Sequence, residues 1–175
     1  RNIKEGINFS FFNIKMDKAL IDTSILLEPF IKLRFGKKGN QQKELKKRTY
    51  AILTYQKGEN FIPAVSMSVL GELQFLLYKK ENLIEGLSEK REEMNQILSS
   101  FFDKCDMIEL KKETISLAHE IFQKDRSLDP LDVLHFSSAI TGECKSFIFI
   151  DEAIPKSQII KEYSKKYNLN LIPLN

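Results

Sequence analysis

Cysteine is scarce in this sequence: two in 175 residues, Cys105 and Cys144, far apart. Two isolated cysteines make neither a disulfide framework nor a zinc site. They fit a pair of reduced thiols in a cytoplasmic protein. Long apolar runs are missing as well. Nothing approaches the roughly 20 apolar residues that a membrane-spanning helix needs. Residues 1–15 lack the apolar core of a secretion signal. The chain therefore reads as soluble and cytoplasmic, with no membrane partner. A large excess of one charge is absent too: the net charge is +3, so partners must be argued from local charge rather than overall charge. There is no repeat and no low-complexity stretch. There is also no G-x-G-x-x-G, no G-x-x-x-x-G-K-[ST] and no G-x-S-x-G, which counts against dinucleotide-binding, P-loop and α/β-hydrolase chemistry.

What is present is enough for one domain. Hydrophobic residues make up 42% of the chain and charged residues 29%. That suffices to bury a core without disulfides or a structural metal and argues against wholesale disorder. Met16 stands just before the first strand-like run, so residues 1–15 read as an N-terminal extension and 16–175 as a single domain; a genuine first strand or arm is the alternative for 1–15.

Short apolar runs alternate with helical periodicity. Residues 18–22, 61–65, 107–110, 147–150 and 170–172 read as strands. The helix after the first strand, capped by Thr23 or Ser24, should carry Ile25, Leu26, Phe30, Ile31 and Leu33, bend or restart at Pro29, and stop near Gly36. Ser66 or Ser68 caps a helix to about Lys80, and Ser88 is a candidate cap for a helix reaching Phe102. Asp129 followed by Pro130 is a strong helix start, and Gly142 is placed to end that helix. Alternating strands and helices imply an α/β fold with a mainly parallel sheet and helices on both faces.

In such a sheet, ligands gather at the carboxyl ends of the strands. Asp22 ends the first strand and Asp151 follows the fourth. Glu72 lies one turn into the helix after the second strand, and Asp132 is the third residue of the helix begun by Pro130. Parallel crossovers would bring all four to one rim. Packed carboxylates repel one another unless a cation binds. An oxygen-donor set suits Mg²⁺ or Mn²⁺, and the chemistry such ions serve is phosphodiester hydrolysis. A phosphatase of the D-x-D type is disfavoured, because position 24 is Ser.

Residues 37–48 hold six basic residues, Lys37, Lys38, Lys43, Lys46, Lys47 and Arg48, against one acidic residue, Glu44. They form a candidate phosphate-backbone track, with an ordinary solvated helix and loop as the competing reading.

The segments I-D-T-S-I-L-L at 21–27, S-V-L-G-E-L at 68–73, L-D-P-L-D-V-L-H-F-S-S-A-I at 128–140 and F-I-F-I-D-E at 147–152 resemble the successive motifs of PIN-domain ribonucleases, most closely the VapC-like toxins of toxin–antitoxin modules. The resemblance runs from Met16 to the end of the chain. It implies a three-layer α/β/α sandwich and a Mg²⁺- or Mn²⁺-dependent endoribonuclease. Asp22, Glu72, Asp132 and Asp151 would form the acidic site and Ser24 would support the first Asp, with possible substrate contact. It further implies an RNA substrate, a homodimer and a cognate antitoxin. The chain departs from the pattern at Phe149, where Thr or Ser is common, in the long basic connection between Gly36 and Phe61, and in the extension before Met16. These departures keep a second reading open, a non-catalytic RNA- or protein-binding module on the same scaffold. Among the rival groups, Asp129 reads as a helix cap, Glu152 as surface, and His135, one turn from Asp132, as a hydrogen-bonded, partly buried histidine.

Overall fold

The computed structural model describes residues 17–31, 39–54, 61–79 and 88–174. Their elements run β1 (Asp17–Ile21), α1 (Thr23–Leu27), α2 (Gly39–Leu53), β2 (Phe61–Ser66), α3 (Met67–Lys79), α4 (Arg91–Phe102), β3 (Asp106–Ile108), α5 (Lys112–Lys124), α6 (Pro130–Thr141), β4 (Ser146–Phe149), α7 (Gln158–Tyr167) and β5 (Asn170–Pro173). The five strands form one sheet in the order β3-β2-β1-β4-β5. Every pairing is parallel.

Strand side chains alternate between two helical layers. Ala19 and Ile21 of β1 pack with Phe61, Val65 and Ile148 toward α1 to α4, where Val69, Leu73 and Leu98 meet them. Leu20 points the other way, with Ala64, Phe147 and Phe149, toward α5 to α7, against Ile121, Phe136 and Ile160. The result is the expected α/β/α sandwich, with β1 and β4 buried on both faces as their continuous apolar runs require.

The helix ends follow local chemistry. Ser66 Oγ accepts from Val69 N–H at 3.2 Å at the start of α3. Asp129 caps α6 through Leu131 N–H at 2.8 Å, with Pro130 as the first residue. Ser157 caps α7 through Ile160 N–H at 3.3 Å. Ser88 opens a short 3₁₀ turn that leads into α4.

The structure differs from expectation near the first strand. Among the described residues the helix there ends at Leu27, two residues before Pro29, because a proline deforms the turn that precedes it; the expected continuation at Leu33 lies outside them. Its cap is Asp22 rather than Thr23 or Ser24. Thr23 is buried and its hydroxyl donates to the Val69 carbonyl at 3.5 Å, which ties α1 to α3. The third strand is also shorter and earlier than expected, Asp106–Ile108. The expectations for residues 1–15, for Gly36 and for Lys37 and Lys38 lie outside the described residues.

Candidate metal centre

The sheet order places β1 and β4 side by side at the centre. From β1 the chain builds outward through β2 and β3; from β4 it builds the other way to β5. This is the point where the strand order reverses, and the crevice beyond the carboxyl ends of such a strand pair is where open α/β sheets bind ligands. Asp22 follows β1, and Asp151 stands two residues after Phe149, the last residue of β4.

Asp22, Glu72, Asp132 and Asp151 all line one cleft of about 320 Å³, together with Thr23, Ser24 and the apolar Leu27, Ile31 and Leu76. Each comes from a different element. Asp22 is the α1 cap, Glu72 sits on α3, Asp132 is in the first turn of α6, and Asp151 is in the turn after β4.

Asp22 is held from both sides. Its Oδ2 accepts from Ser24 Oγ at 2.5 Å and from Ser24 N–H at 3.1 Å. Its Oδ1 lies 2.8 Å from His135 Nδ1. Ser24 Oγ in turn accepts from Ile150 N–H at 3.2 Å, so the first carboxylate is fixed to the end of the β4 segment as well. Asp151 uses one oxygen, Oδ1, to accept from Ala153 N–H at 2.5 Å and Ile154 N–H at 2.9 Å.

His135 is the residue the sequence undervalued. It is fully buried rather than partly so. Nδ1 faces Asp22, while Nε2 is buried without a hydrogen-bond partner, 3.8 Å from Glu72 Oε2. The only signal in the sequence was its position three residues after Asp132, which puts both on one helix face. Its pairing with Asp22 spans 113 positions and depends on how α6 lies across β1.

The electrostatics follow from this crowding. Burial pushes the Asp22 carboxyl up, but the His135 hydrogen bond and charge and the two Ser24 bonds outweigh it, so Asp22 lies below the ordinary range. Asp132 lacks such donors. Burial, then the charges of Asp22, Asp151 and Asp129, push it up to about 7 despite the opposing His135 charge. Burial pulls the His135 ring down, but its bond to Asp22 and the charges of Asp22, Glu72 and Asp132 raise it overall.

A divalent ion fits this donor set. One ligand atom each from Asp22, Asp132 and His135 lie within 4.8 Å of one another, so the group could hold a metal ion. The crowding that raises Asp132 is what a bound cation would relieve.

The other candidate residues separate. Ser24 lines the cleft with its hydroxyl committed to Asp22 and Ile150. Lys43, Lys47 and Arg48 are exposed on α2 and Lys46 is half-buried there; none of the four lines the acidic cleft. Arg48 pairs with Glu44 at 3.3 Å. Glu152 is exposed and lies 3.4 Å from Lys156. Phe149 is buried in the core against Phe147. Both cysteines are unbridged. Among the described residues no helix is long and apolar enough to cross a membrane.

No family model matches the chain, and no curated protein does. Solved structures do. A chain in the crystal structure of VapBC2 from Rickettsia felis bound to a DNA fragment from their promoter aligns with a TM-score of 0.51, at 19% identity, over 89% of this chain and 98% of that one. A chain in the crystal structure of FitAcB from Neisseria gonorrhoeae gives a TM-score of 0.48 at 15% identity, over 89% and 97%. The first of these likenesses is one of fold.

Proposed function

We propose that this protein is a metal-dependent endoribonuclease, a VapC-like toxin of a toxin–antitoxin module. The observation that carries the reading is that four carboxylates, from four separate elements, line one cleft at the point where the strand order reverses. The fold shared with a chain of the VapBC2 structure supports it. So do the four ordered motifs of the sequence.

Asp22, Asp132, Glu72 and Asp151 would hold Mg²⁺ or Mn²⁺. The ion would supply a water of lowered pKa and charge stabilisation for the leaving oxygen. The chain's own groups do the rest. Ser24 and His135 fix both oxygens of Asp22, so the ligand loses little freedom on binding a cation. Asp132, raised to about 7, would give up its proton on holding a cation. Leu27, Ile31 and Leu76 give the cleft an apolar wall.

On the same reading, residues 16–175 are one nuclease domain with an extension before it, the protein works in the cytoplasm as a homodimer, and a cognate antitoxin silences it. The test is to incubate the protein with structured and unstructured RNA, with Mn²⁺ or Mg²⁺ and then with a chelator. Cleavage that needs the metal, and is lost in Asp22→Asn, supports the nuclease. Salt-sensitive RNA binding without metal-dependent cleavage replaces it with the binding-module reading.

A further inference from the structure

A second cleft, of about 360 Å³, lies beside the acidic one and carries the opposite charge. Among the described residues, Lys46, Lys47 and Lys90 line it with Tyr50, against one carboxylate, Glu93. Its wall includes Pro29 and Phe30, whereas Leu27 and Ile31 line the acidic cleft. The two clefts therefore share the turn that follows α1. Lys46 ties them together, because its amine donates to the Ile31 carbonyl. Burial lowers the Lys46 amine, Glu28 opposes this, and the neighbouring Lys90 charge lowers it further. Lys46 and Lys90 thus sense one another across the cleft.

Tyr50 adds a different kind of contact. It is 43% exposed on α2, one turn from Lys46 and beside the basic groups. A basic groove with an exposed aromatic ring is the arrangement that binds single-stranded nucleic acid, with phosphates on the cations and a base on the ring.

We propose that this cleft is a single-strand RNA subsite. A strand leaving the acidic cleft crosses the turn at 29–31, sets a phosphate against Lys46, Lys47 and Lys90, and stacks a base on Tyr50. The choice of RNA rests on the nuclease reading above. The basic run seen in sequence is thereby divided: Lys46 and Lys47 face the cleft, Lys90 joins them from the turn before α4, and Arg48 is paired with Glu44.

The test is a titration of a fluorescent single-stranded RNA oligonucleotide onto the full chain in EDTA, over a salt series. The double variant Lys47→Ala/Lys90→Ala should weaken binding about tenfold and flatten the salt slope by roughly 0.7 for each phosphate that the variant no longer neutralises. Tyr50→Ala should also weaken binding about tenfold, and Tyr50→Phe should bind like the wild type. The control Lys161→Ala/Lys165→Ala removes the same charge from α7, in the other helical layer, and should leave binding unchanged. Equal weakening by the control, or full binding by Tyr50→Ala, overturns the subsite, as does failure of the wild type to bind RNA. Cleft-specific binding without cleavage in Mn²⁺ sinks the nuclease reading and keeps the subsite. Metal-dependent cleavage with cleft variants that bind like the wild type does the reverse.

Discussion

Asp22 does two jobs with one side chain: it caps α1 and lines the acidic cleft. His135 is the group that lets a buried carboxylate stay ionised there. Replacing it by Leu removes the partner of Oδ1 while burial, the cause that raises the carboxyl, remains. We expect the Asp22 carboxyl to move above its ordinary value in His135→Leu, read by carbon NMR titration of a metal-free sample. Urea unfolding should show a loss of about 1–3 kcal/mol for the broken charged hydrogen bond. On the metal reading of the cleft, calorimetry with Mn²⁺ should show an affinity lower by roughly 10–100-fold, since His135 would then orient a ligand. An unchanged Asp22 titration would mean that Ser24 alone sets its charge. By contrast, Asp22→Asn keeps one acceptor oxygen where the carboxylate has two, so either His135 or Ser24 meets an amide NH₂ instead. On the nuclease reading, its metal-dependent cleavage should fall at least ~100-fold, more than the stability lost with one hydrogen bond (about 1 kcal/mol) explains, which a cleavage time course with Mn²⁺ beside a thermal melt measures.

At the scale of elements, the close approach of α6 to β3 is set by one glycine. A Cβ at Gly142 would lie 2.6 Å from Ile108 Cδ1, 2.8 Å from Ile108 Cγ2 and 2.8 Å from the Ser138 carbonyl oxygen. The last is backbone and cannot swing aside. Gly142→Ala should therefore destabilise the fold by about 1–3 kcal/mol, as overpacking does, and a chemical-denaturation midpoint unchanged from the wild type would refute the tight packing. In the sequence Gly142 was legible only as a helix stop. The same limit applies across the fold. β1, β2 and β4 could be read because their runs are apolar and bounded, and α6 because Asp129 and Pro130 stand in the order a helix start requires. Pro29 marked a break after the first strand, but not that the helix would already end at Leu27, because apolar residues continue at helical spacing up to it. The four acidic motifs were legible in order. The order of strands, which brings them to one cleft, is a tertiary fact, and so is the His135–Asp22 contact.

For the whole molecule, the acidic cleft sets how stability depends on pH. The Asp132 carboxyl, ordinarily at 3.8, is raised to about 7 in the fold. The folded chain then holds more protons than the unfolded one between these values, so stability falls as pH rises through that window. His135 acts in the same direction: its stabilisation is present below 6.5 and is lost as pH rises through its raised folded value. Asp22 works in a separate window, since its stabilisation is present above 3.8 and fades only as pH falls below that. Chelator-treated protein should therefore melt at steadily lower temperature from about pH 4 upward through neutrality, and Mn²⁺ should restore most of the loss near pH 8. Thermal melts across a pH series, with and without the ion, measure this, and a flat chelated profile would refute the raised Asp132 value. The position of β1 in the sheet has a temporal consequence. Its two neighbours are β2, nearby in sequence, and β4, which begins only at Ser146. While the chain is being made, one edge of β1 stays unpaired and Asp151 is missing until most of the polypeptide has left the ribosome. On the nuclease reading a nascent chain is thus inert toward RNA, and a product truncated before β4 should be cleared by proteases rather than act.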